Sequence, residues 1–287
     1  MFFIILLKKV LSKSKMKIQY LDDDKEYNVN SFDELNNNVI KINCYNNNLS
    51  SLPEHLNLPL LQYFYCYYNK LSSLPKHISN MFPLLQILSC HNNNLNSLPE
   101  HFNFPNLQNF YCDYNNLNSL PENISETLPN LQFLWCHHNN LSSLPEHLNL
   151  PNLKQLYCDN NNLNSLPEHL DLPLLQEFNC GNNNLISLPE HLNLPLLQKF
   201  NCNNNNLNSL PEHLNLSLLQ IFYCNNNNLN SLPEHLDLPN LEKFNCGNNN
   251  LISLPEHLNL PLLQDFSCPD NNLSSLPEHL NLPLLQT

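Results

Sequence analysis

Cysteine is the most reactive residue type in this sequence, and it recurs as a regular series. Successive cysteines are 22 residues apart, except for two intervals of 24, and the series comprises Cys44, Cys66, Cys90, Cys112, Cys136, Cys158, Cys180, Cys202, Cys224, Cys246 and Cys268. Metal-binding cysteines usually come in close pairs with varied spacing. Here each cysteine follows an apolar residue by two positions, as Cys202 follows Phe200, and in such a place it behaves as a small hydrophobe. The series predicts buried, reduced thiols and no metal site.

A Glu-His pair also recurs, from Glu54-His55 to Glu278-His279, and ten histidines align at this position. Imidazoles could bind a metal ion. However, neighbouring copies are expected to lie about 5 Å apart along a ladder rather than around one point, and no third type of ligand recurs with them. Residues Phe178–Gln198 and Phe244–Gln264 are identical, so duplication alone can produce such a ladder. We therefore predict a solvated edge that holds neither a metal nor a cofactor.

Four residues that follow cysteines could form acid–base pairs: His91, Asp113, His137 and Asp159. Catalysis would also need a nucleophile, and this series contains no Ser, Thr or Cys. The two histidines are 46 residues apart, as are the two aspartates, which indicates duplication of a pair of segments. We predict that these side chains form a polar part of a binding surface and that the protein is not an enzyme.

The cysteines belong to a longer repeated pattern, L-x-x-F-x-C-x-x-N-x-L, seen from Leu197 to Leu207. Its alternation of apolar and polar residues predicts a short strand with Phe200 and Cys202 facing inward. Asn205 lies where the chain turns away, and its side chain can bond the exposed backbone groups of that turn. A single copy cannot bury its own leucines, so the copies are expected to stack and to align their asparagines as a ladder.

This pattern resembles the leucine-rich repeat, and the Leu-Pro that follows it is similar to that of the LPxx-type intracellular class. The Asn-rich, Arg-free composition resembles the repeat proteins of Mimivirus-like giant viruses or AT-rich protists. The resemblance implies an α/β leucine-rich-repeat solenoid. Its concave face would carry a parallel β-sheet, and its convex face short 3₁₀, helical or extended pieces. The resemblance also implies a non-enzymatic protein–protein interaction scaffold that could modulate a host or signalling pathway.

We divide the chain into three parts. Residues 1–15 are expected to be a disordered or spurious N-terminal extension, 16–38 an N-terminal cap, and 39–287 an array of eleven repeats plus the start of a twelfth. The extension begins with the apolar run Met1–Leu7, followed by lysines. Three interpretations stay open: Met16 is the true start, the segment is real but disordered, or it is a short membrane-surface anchor. In the cap, we expect strands at Lys17–Leu21 and Glu26–Asn30, and Ser31 as the cap of a helical turn.

Composition excludes some partners and favours one compartment. The formal net charge is −13, which argues against a nucleic-acid partner because phosphates must be neutralised by Lys and Arg. No stretch is long enough to span a bilayer. An odd number of cysteines cannot all pair within the chain. Secreted relatives usually have disulfide-rich caps, but here no cysteine lies outside the repeated series. Reduced thiols predict an intracellular, cytoplasmic location, which for a viral protein is the host cytoplasm.

Aromatic residues occupy outward strand positions in the first half of the array, whereas the second half has mostly asparagine there. Aromatic residues suit strands in general, but the second half is expected to form strands without them. Trp and Tyr are favoured anchors of protein interfaces. We therefore predict a partner-binding site on the concave face, centred on Trp135. Its residues are Tyr63, Tyr65, Tyr67, His91, Tyr111, Asp113, Phe133, Trp135, His137, Tyr157 and Asp159.

The expected partner is a protein that the sequence does not identify. The chain itself is expected to be a monomer or to self-associate weakly. In an alternative function, it is a structural or assembly component that stacks through its C-terminal end, where no polar cap is evident. A third interpretation, a ligand-sensing ectodomain, would require export and oxidised cysteines.

Overall fold

The computed structural model describes residues 15–286 except Asp22, Asp24 and Glu278. The chain forms two compact units: unit 1 ends at Asn139 and unit 2 begins at Asn140. The boundary falls inside the predicted repeat array. The predicted N-terminal extension lies outside the described residues, apart from Lys15.

Unit 1 contains one sheet, a 3₁₀ turn and two short helices. In chain order these elements are β1 (Met16–Tyr20), β2 (Glu26–Val29), the 3₁₀ turn (Phe32–Glu34), β3 (Val39–Asn43), β4 (Tyr63–Tyr65), α1 (Ile78–Met81), β5 (Ile87–Ser89), β6 (Asn109–Tyr111), α2 (Ile124–Thr127) and β7 (Phe133–Trp135). The strands lie in the order β7-β6-β5-β4-β3-β1-β2. Strands β3 to β7 are parallel, while β1 is antiparallel to both of its neighbours.

Unit 2 repeats the parallel arrangement and adds short outer strands between successive sheet strands. Its elements are β8 (Gln155–Tyr157), β9 (Leu170–Asp171), β10 (Glu177–Asn179), β11 (Leu192–Asn193), β12 (Lys199–Asn201), β13 (Ile221–Tyr223), β14 (Lys243–Asn245), β15 (His257–Asn259), β16 (Asp265–Ser267) and β17 (His279–Asn281). The main sheet has the order β16-β14-β13-β12-β10-β8, and the outer strands pair as β11-β9 and β15-β17. Both units thus have the predicted leucine-rich-repeat solenoid fold.

Each three-residue strand of the parallel sheets from β4 to β14 buries its middle residue between two flanking residues, whereas in the edge strand β16 the middle residue, Phe266, is half-buried. In β12, Phe200 is 1% exposed, whereas Lys199 is exposed and Asn201 half-buried. Successive strands pair without any shift, so that Phe178 lies opposite Phe200. The strand alternation predicted from the sequence is therefore confirmed, and residues with the same place in the motif form continuous rows.

The cysteine row lies beside this core row. All eleven cysteines are free thiols, and all except Cys268 are buried. Burial raises the pKa of Cys44 to about 12, because the thiolate would lose its hydration. The prediction that every cysteine is buried is wrong for Cys268, which is half-buried because β16 lies at the edge of the main sheet.

The predicted asparagine ladder is confirmed, and Asn205 shows how it works. The Asn205 side-chain amide donates to the carbonyl oxygens of Cys180 and Cys202 at 3.1 Å and of Asn203 at 3.2 Å. Its Oδ1 accepts from the backbone N–H of Leu185 at 3.0 Å. One side chain therefore bonds its own turn and the turn of the preceding repeat. This satisfies backbone groups that would otherwise be buried without partners.

The two repeats with extra residues differ on the outer side. Their additional length forms α1 and α2, each four residues long, with Ile78 and Ile124 at 0% exposure. At the start of the described chain, the Ser31 hydroxyl accepts from the backbone N–H of Asp33 at 2.9 Å and caps the 3₁₀ turn. None of the helices in the described part of the chain has the length and apolar character that a membrane span requires.

Candidate partner-binding surface

The outward side chains of β4 to β7, with the residues that follow each strand, cover the solvent side of the sheet in unit 1. We call this region the aromatic surface: Tyr63, Tyr65, Tyr67, Tyr68, His91, Tyr111, Tyr114, Phe133, Trp135, His137 and His138. Trp135 is half-buried, between Leu134 and Cys136, which are both at 0% exposure. The indole therefore points away from the core, as the sequence predicts.

At one end of the aromatic surface, the rings of Tyr67 and His91 stack in a row with Tyr45, which lies next to this surface in the preceding repeat. The centroids of Tyr45 and Tyr67 are 5.2 Å apart at an interplanar angle of 20°, and those of Tyr67 and His91 are 4.5 Å apart at 11°. Tyr65 meets Tyr67 edge to face at 6.5 Å. In-register parallel strands produce this stack because equivalent side chains lie about 5 Å apart.

Trp135 is at the centre of a second group of rings. Its centroid is 4.7 Å from that of Tyr111 and 6.4 Å from that of His137. Tyr114 stacks on His138 at 4.1 Å and 18°, and meets His137 edge to face. Contacts among rings restrict their rotamers before any partner arrives, which lowers the entropy cost of binding.

The polar groups of this surface form short local pairs. His137 Nε2 is 3.6 Å from Asp113 Oδ2, and both side chains are largely buried. The hydroxyl of Ser89 and Nδ1 of His91 are 2.9 Å apart. Burial lowers the pKa of His91, with a smaller contribution from the charge of His137, so this imidazole is neutral at pH 7. Ser89 is only 2% exposed, so its hydroxyl is not accessible to a substrate.

Three members of the aromatic surface have left-handed backbone conformations: φ is 51° at Tyr68, 49° at Tyr114 and 50° at His138. The equivalent residues of unit 2 are asparagine or aspartate, namely Asn160, Asn182, Asn204, Asn226, Asn248 and Asp270. Asn, Asp and His tolerate this conformation, whereas a bulky residue such as Tyr is uncommon there. Backbone strain of this kind tends to occur at functional sites.

The predicted site omits Tyr68, Tyr114 and His138, although Tyr68 and Tyr114 are 55% and 45% exposed. The sequence feature that could have identified these residues is an aromatic ring at a position where other repeats have Asn. That position has positive φ in every repeat from Asn46 to Asp270, which a strand pattern alone does not reveal.

Two predicted site residues, Tyr157 and Asp159, belong to unit 2. The Tyr157 hydroxyl donates to Glu177 Oε2, and Lys199 Nζ lies 2.9 Å from Glu177 Oε1. With Tyr223, these side chains line a cavity of about 250 Å³ on the sheet of unit 2. Asp159 is buried and accepts from the side-chain amide of Asn160 at 2.7 Å. The other nine predicted residues belong to unit 1.

A family model described as leucine-rich repeats (two copies) matches residues 129–172. No curated protein sequence matches the chain. Among solved structures, a leucine-rich-repeat protein from Leptospira interrogans is 28% identical, with a TM-score of 0.69. That match covers 85% of this chain and 70% of the Leptospira protein.

Two other bacterial structures are similar. YopM, a leucine-rich effector protein from Yersinia pestis, is 29% identical with a TM-score of 0.51. That match covers 83% of this chain and 80% of the YopM chain. The functional domain of InlJ from Listeria monocytogenes, which includes a cysteine ladder, is 22% identical with a TM-score of 0.62. Its match covers 85% of this chain and 56% of InlJ and shows the fold alone.

Leucine-rich repeats generally serve as non-enzymatic scaffolds for protein–protein interaction. Among the described residues, no group of three or more His, Cys, Asp or Glu side chains could hold a metal ion. The matching family model identifies leucine-rich repeats at residues 129–172, and the repeated motif and parallel sheets show that both units have the leucine-rich-repeat solenoid fold.

Proposed function

We propose that this protein is a scaffold that binds a protein partner through the aromatic surface of unit 1, with Trp135 as the main anchor. The observation that carries the proposal is the cluster of half-buried and exposed rings around Trp135 and Tyr67. Such rings offer a large contact area at low entropic cost, and a contiguous exposed apolar patch with polar residues beside it is typical of an interaction site.

Backbone strain supports the same location. Tyr68 and Tyr114 keep rings at positions where Asn is more stable. A role in binding would explain why these repeats do not use Asn. The polar pair of Asp113 and His137 lies beside Trp135 and could orient the partner.

The similarity to the YopM effector supports a role in which the bound partner belongs to a host or signalling pathway. A viral or protist origin, a cytoplasmic location and reduced thiols remain predictions from composition and cysteine pattern. They imply that the partner is an intracellular protein.

The proposal is tested by comparing Trp135→Ala with Asn245→Ala, an outward position on the sheet of unit 2. Proteins retained from a cell extract by wild-type protein and by both variants are quantified by mass spectrometry, and the Kd of the retained partner is then measured. Removing a central aromatic anchor typically costs about 2–4 kcal/mol, or roughly 30-fold to 1,000-fold in Kd. Asn245→Ala should leave Kd unchanged.

The urea midpoint of each variant separates lost binding from lost folding. If both substitutions raise the Kd of the partner equally, or if Trp135→Ala unfolds the protein, Trp135 is not the anchor. The alternative function, assembly through the C-terminal end, is tested separately by mass photometry over a dilution series of the wild-type protein. Concentration-dependent oligomers would favour it.

A further inference from the structure

The outer strands of unit 2 bring two histidines of the Glu-His series side by side. Strands β9 and β11 are parallel, with Leu170 opposite Leu192. These leucines are 1% and 7% exposed, so they face the core. His169 and His191 come immediately before them and point to the opposite, solvent side, where both are exposed.

The register of β9 and β11 fixes the spacing of these side chains. Asp171 lies opposite Asn193, and the side-chain amide of Asn193 donates to Asp171 Oδ1 at 2.7 Å. His169 and His191 are two residues before this bonded pair and immediately precede β9 and β11. Their Cα atoms are therefore expected about 4.8 Å apart, with the side chains parallel.

Contrary to the expectation from the sequence that the Glu-His series holds no metal, we propose that His169 and His191 form a two-imidazole site for a divalent transition-metal ion such as Zn²⁺. An imidazole nitrogen binds Zn²⁺ at about 2.0–2.1 Å, and two in-register side chains at strand spacing can both reach one ion. Imidazole ligands select Zn²⁺, Cu²⁺ or Ni²⁺ over Mg²⁺ and Ca²⁺, which prefer oxygen. Water completes the coordination shell, since no third protein ligand converges within the described part of the chain.

Charge favours cation binding at this unit. Of the 25 Asp and Glu residues, 14 lie after Asn139, together with only three of the 12 lysines. Glu168 and Glu190 directly precede the two histidines, and both are exposed. A negative field of this kind raises the local concentration of cations.

The test is a titration of the full chain with ZnCl₂, followed by calorimetry and by the NMR signals of the imidazole rings. All proteins carry His147→Gln and His257→Gln. Asn149 forms a parallel bridge with Asp171, two residues after His147 and His169, and the backbones of His257 and His279 are paired in β15 and β17. We expect His169→Gln and His191→Gln each to weaken Zn²⁺ binding on the order of 100-fold, because the second imidazole binds at high effective concentration. The double variant should lose no more than either single variant.

The matched control removes two other exposed histidines with the same spacing in the sequence. No strands pair the outer segments that follow His213 and His235 in the described structure, so His213→Gln with His235→Gln should leave the Kd for Zn²⁺ unchanged. An equal loss in this control, or small additive losses at His169 and His191, would overturn the two-imidazole site. Unchanged urea midpoints show that the variants are folded, and MgCl₂ should produce no heat of binding.

Discussion

Units 1 and 2 each contain an asparagine ladder, but outward aromatic rings dominate the sheet of unit 1, whereas inward rings dominate the sheet of unit 2. In unit 2, Phe178, Phe200, Phe222, Phe244 and Phe266 form a continuous inward column with centroids 5.4 to 5.5 Å apart. The inward row of unit 1 instead mixes Ile, Leu and Phe, and its tyrosines and tryptophan face outward. Unit 2 makes the same strands with few outward rings, so strand formation does not require them.

The largest expected effect tests this inside–outside contrast. Phe222→Ala should lower the free energy of unfolding by about 3–5 kcal/mol, because it leaves a cavity in a stacked column. Trp135→Ala should cost about 1 kcal/mol or less, mainly its contact with Tyr111. Urea unfolding of both variants measures the difference. Similar losses would mean that the indole is part of the core and that the contrast between the units is false.

An intermediate effect tests what the units share. Asn205→Ala in unit 2 and Asn115→Ala in unit 1 should each cost about 2–3 kcal/mol, since buried backbone groups lose their partners. Asn115 makes the same bonds as Asn205, with Cys90 O at 3.1 Å, Cys112 O at 3.0 Å and the N–H of Leu95 at 2.9 Å. The change in urea midpoint measures both costs. A clearly smaller loss at one position would show that the ladder is solvated in that unit.

The smallest expected effect comes from exchanging Tyr and Asn at the position with positive φ. Tyr68→Asn should raise the free energy of unfolding by about 0.5–1 kcal/mol, because Asn tolerates positive φ. Asn182→Tyr should lower it by about 1–2 kcal/mol, because it adds strain and removes the bond from the Asn204 amide at 2.9 Å. Thermal and urea unfolding check the signs. If Tyr68→Asn destabilises the protein, its edge contacts with Tyr67 and His91 outweigh the strain.

The sequence by itself determined the repeat and the direction of each side chain. The apolar residue two positions before each cysteine predicts a side chain that faces the core. The Asn two positions before the next leucine identifies the turn that follows the strand. These local rules hold in every repeat, so Trp135 could be placed outward and Asn205 in the ladder without coordinates. They are local because strand alternation and turn chemistry depend on neighbours along the chain.

Only the tertiary structure decided features that depend on what lies beside a repeat. Cys268 has the same local sequence as the other cysteines but is half-buried, since β16 is at the edge of its sheet. The Glu-His series is nearly uniform in sequence, yet β9 and β11 pair while the outer segments after His213 and His235 form no strands. Asn215, two residues after His213, has a φ of 53°, which is incompatible with an extended strand. The chain pattern specifies each repeat, whereas contacts between repeats decide exposure, strain and side-chain pairing.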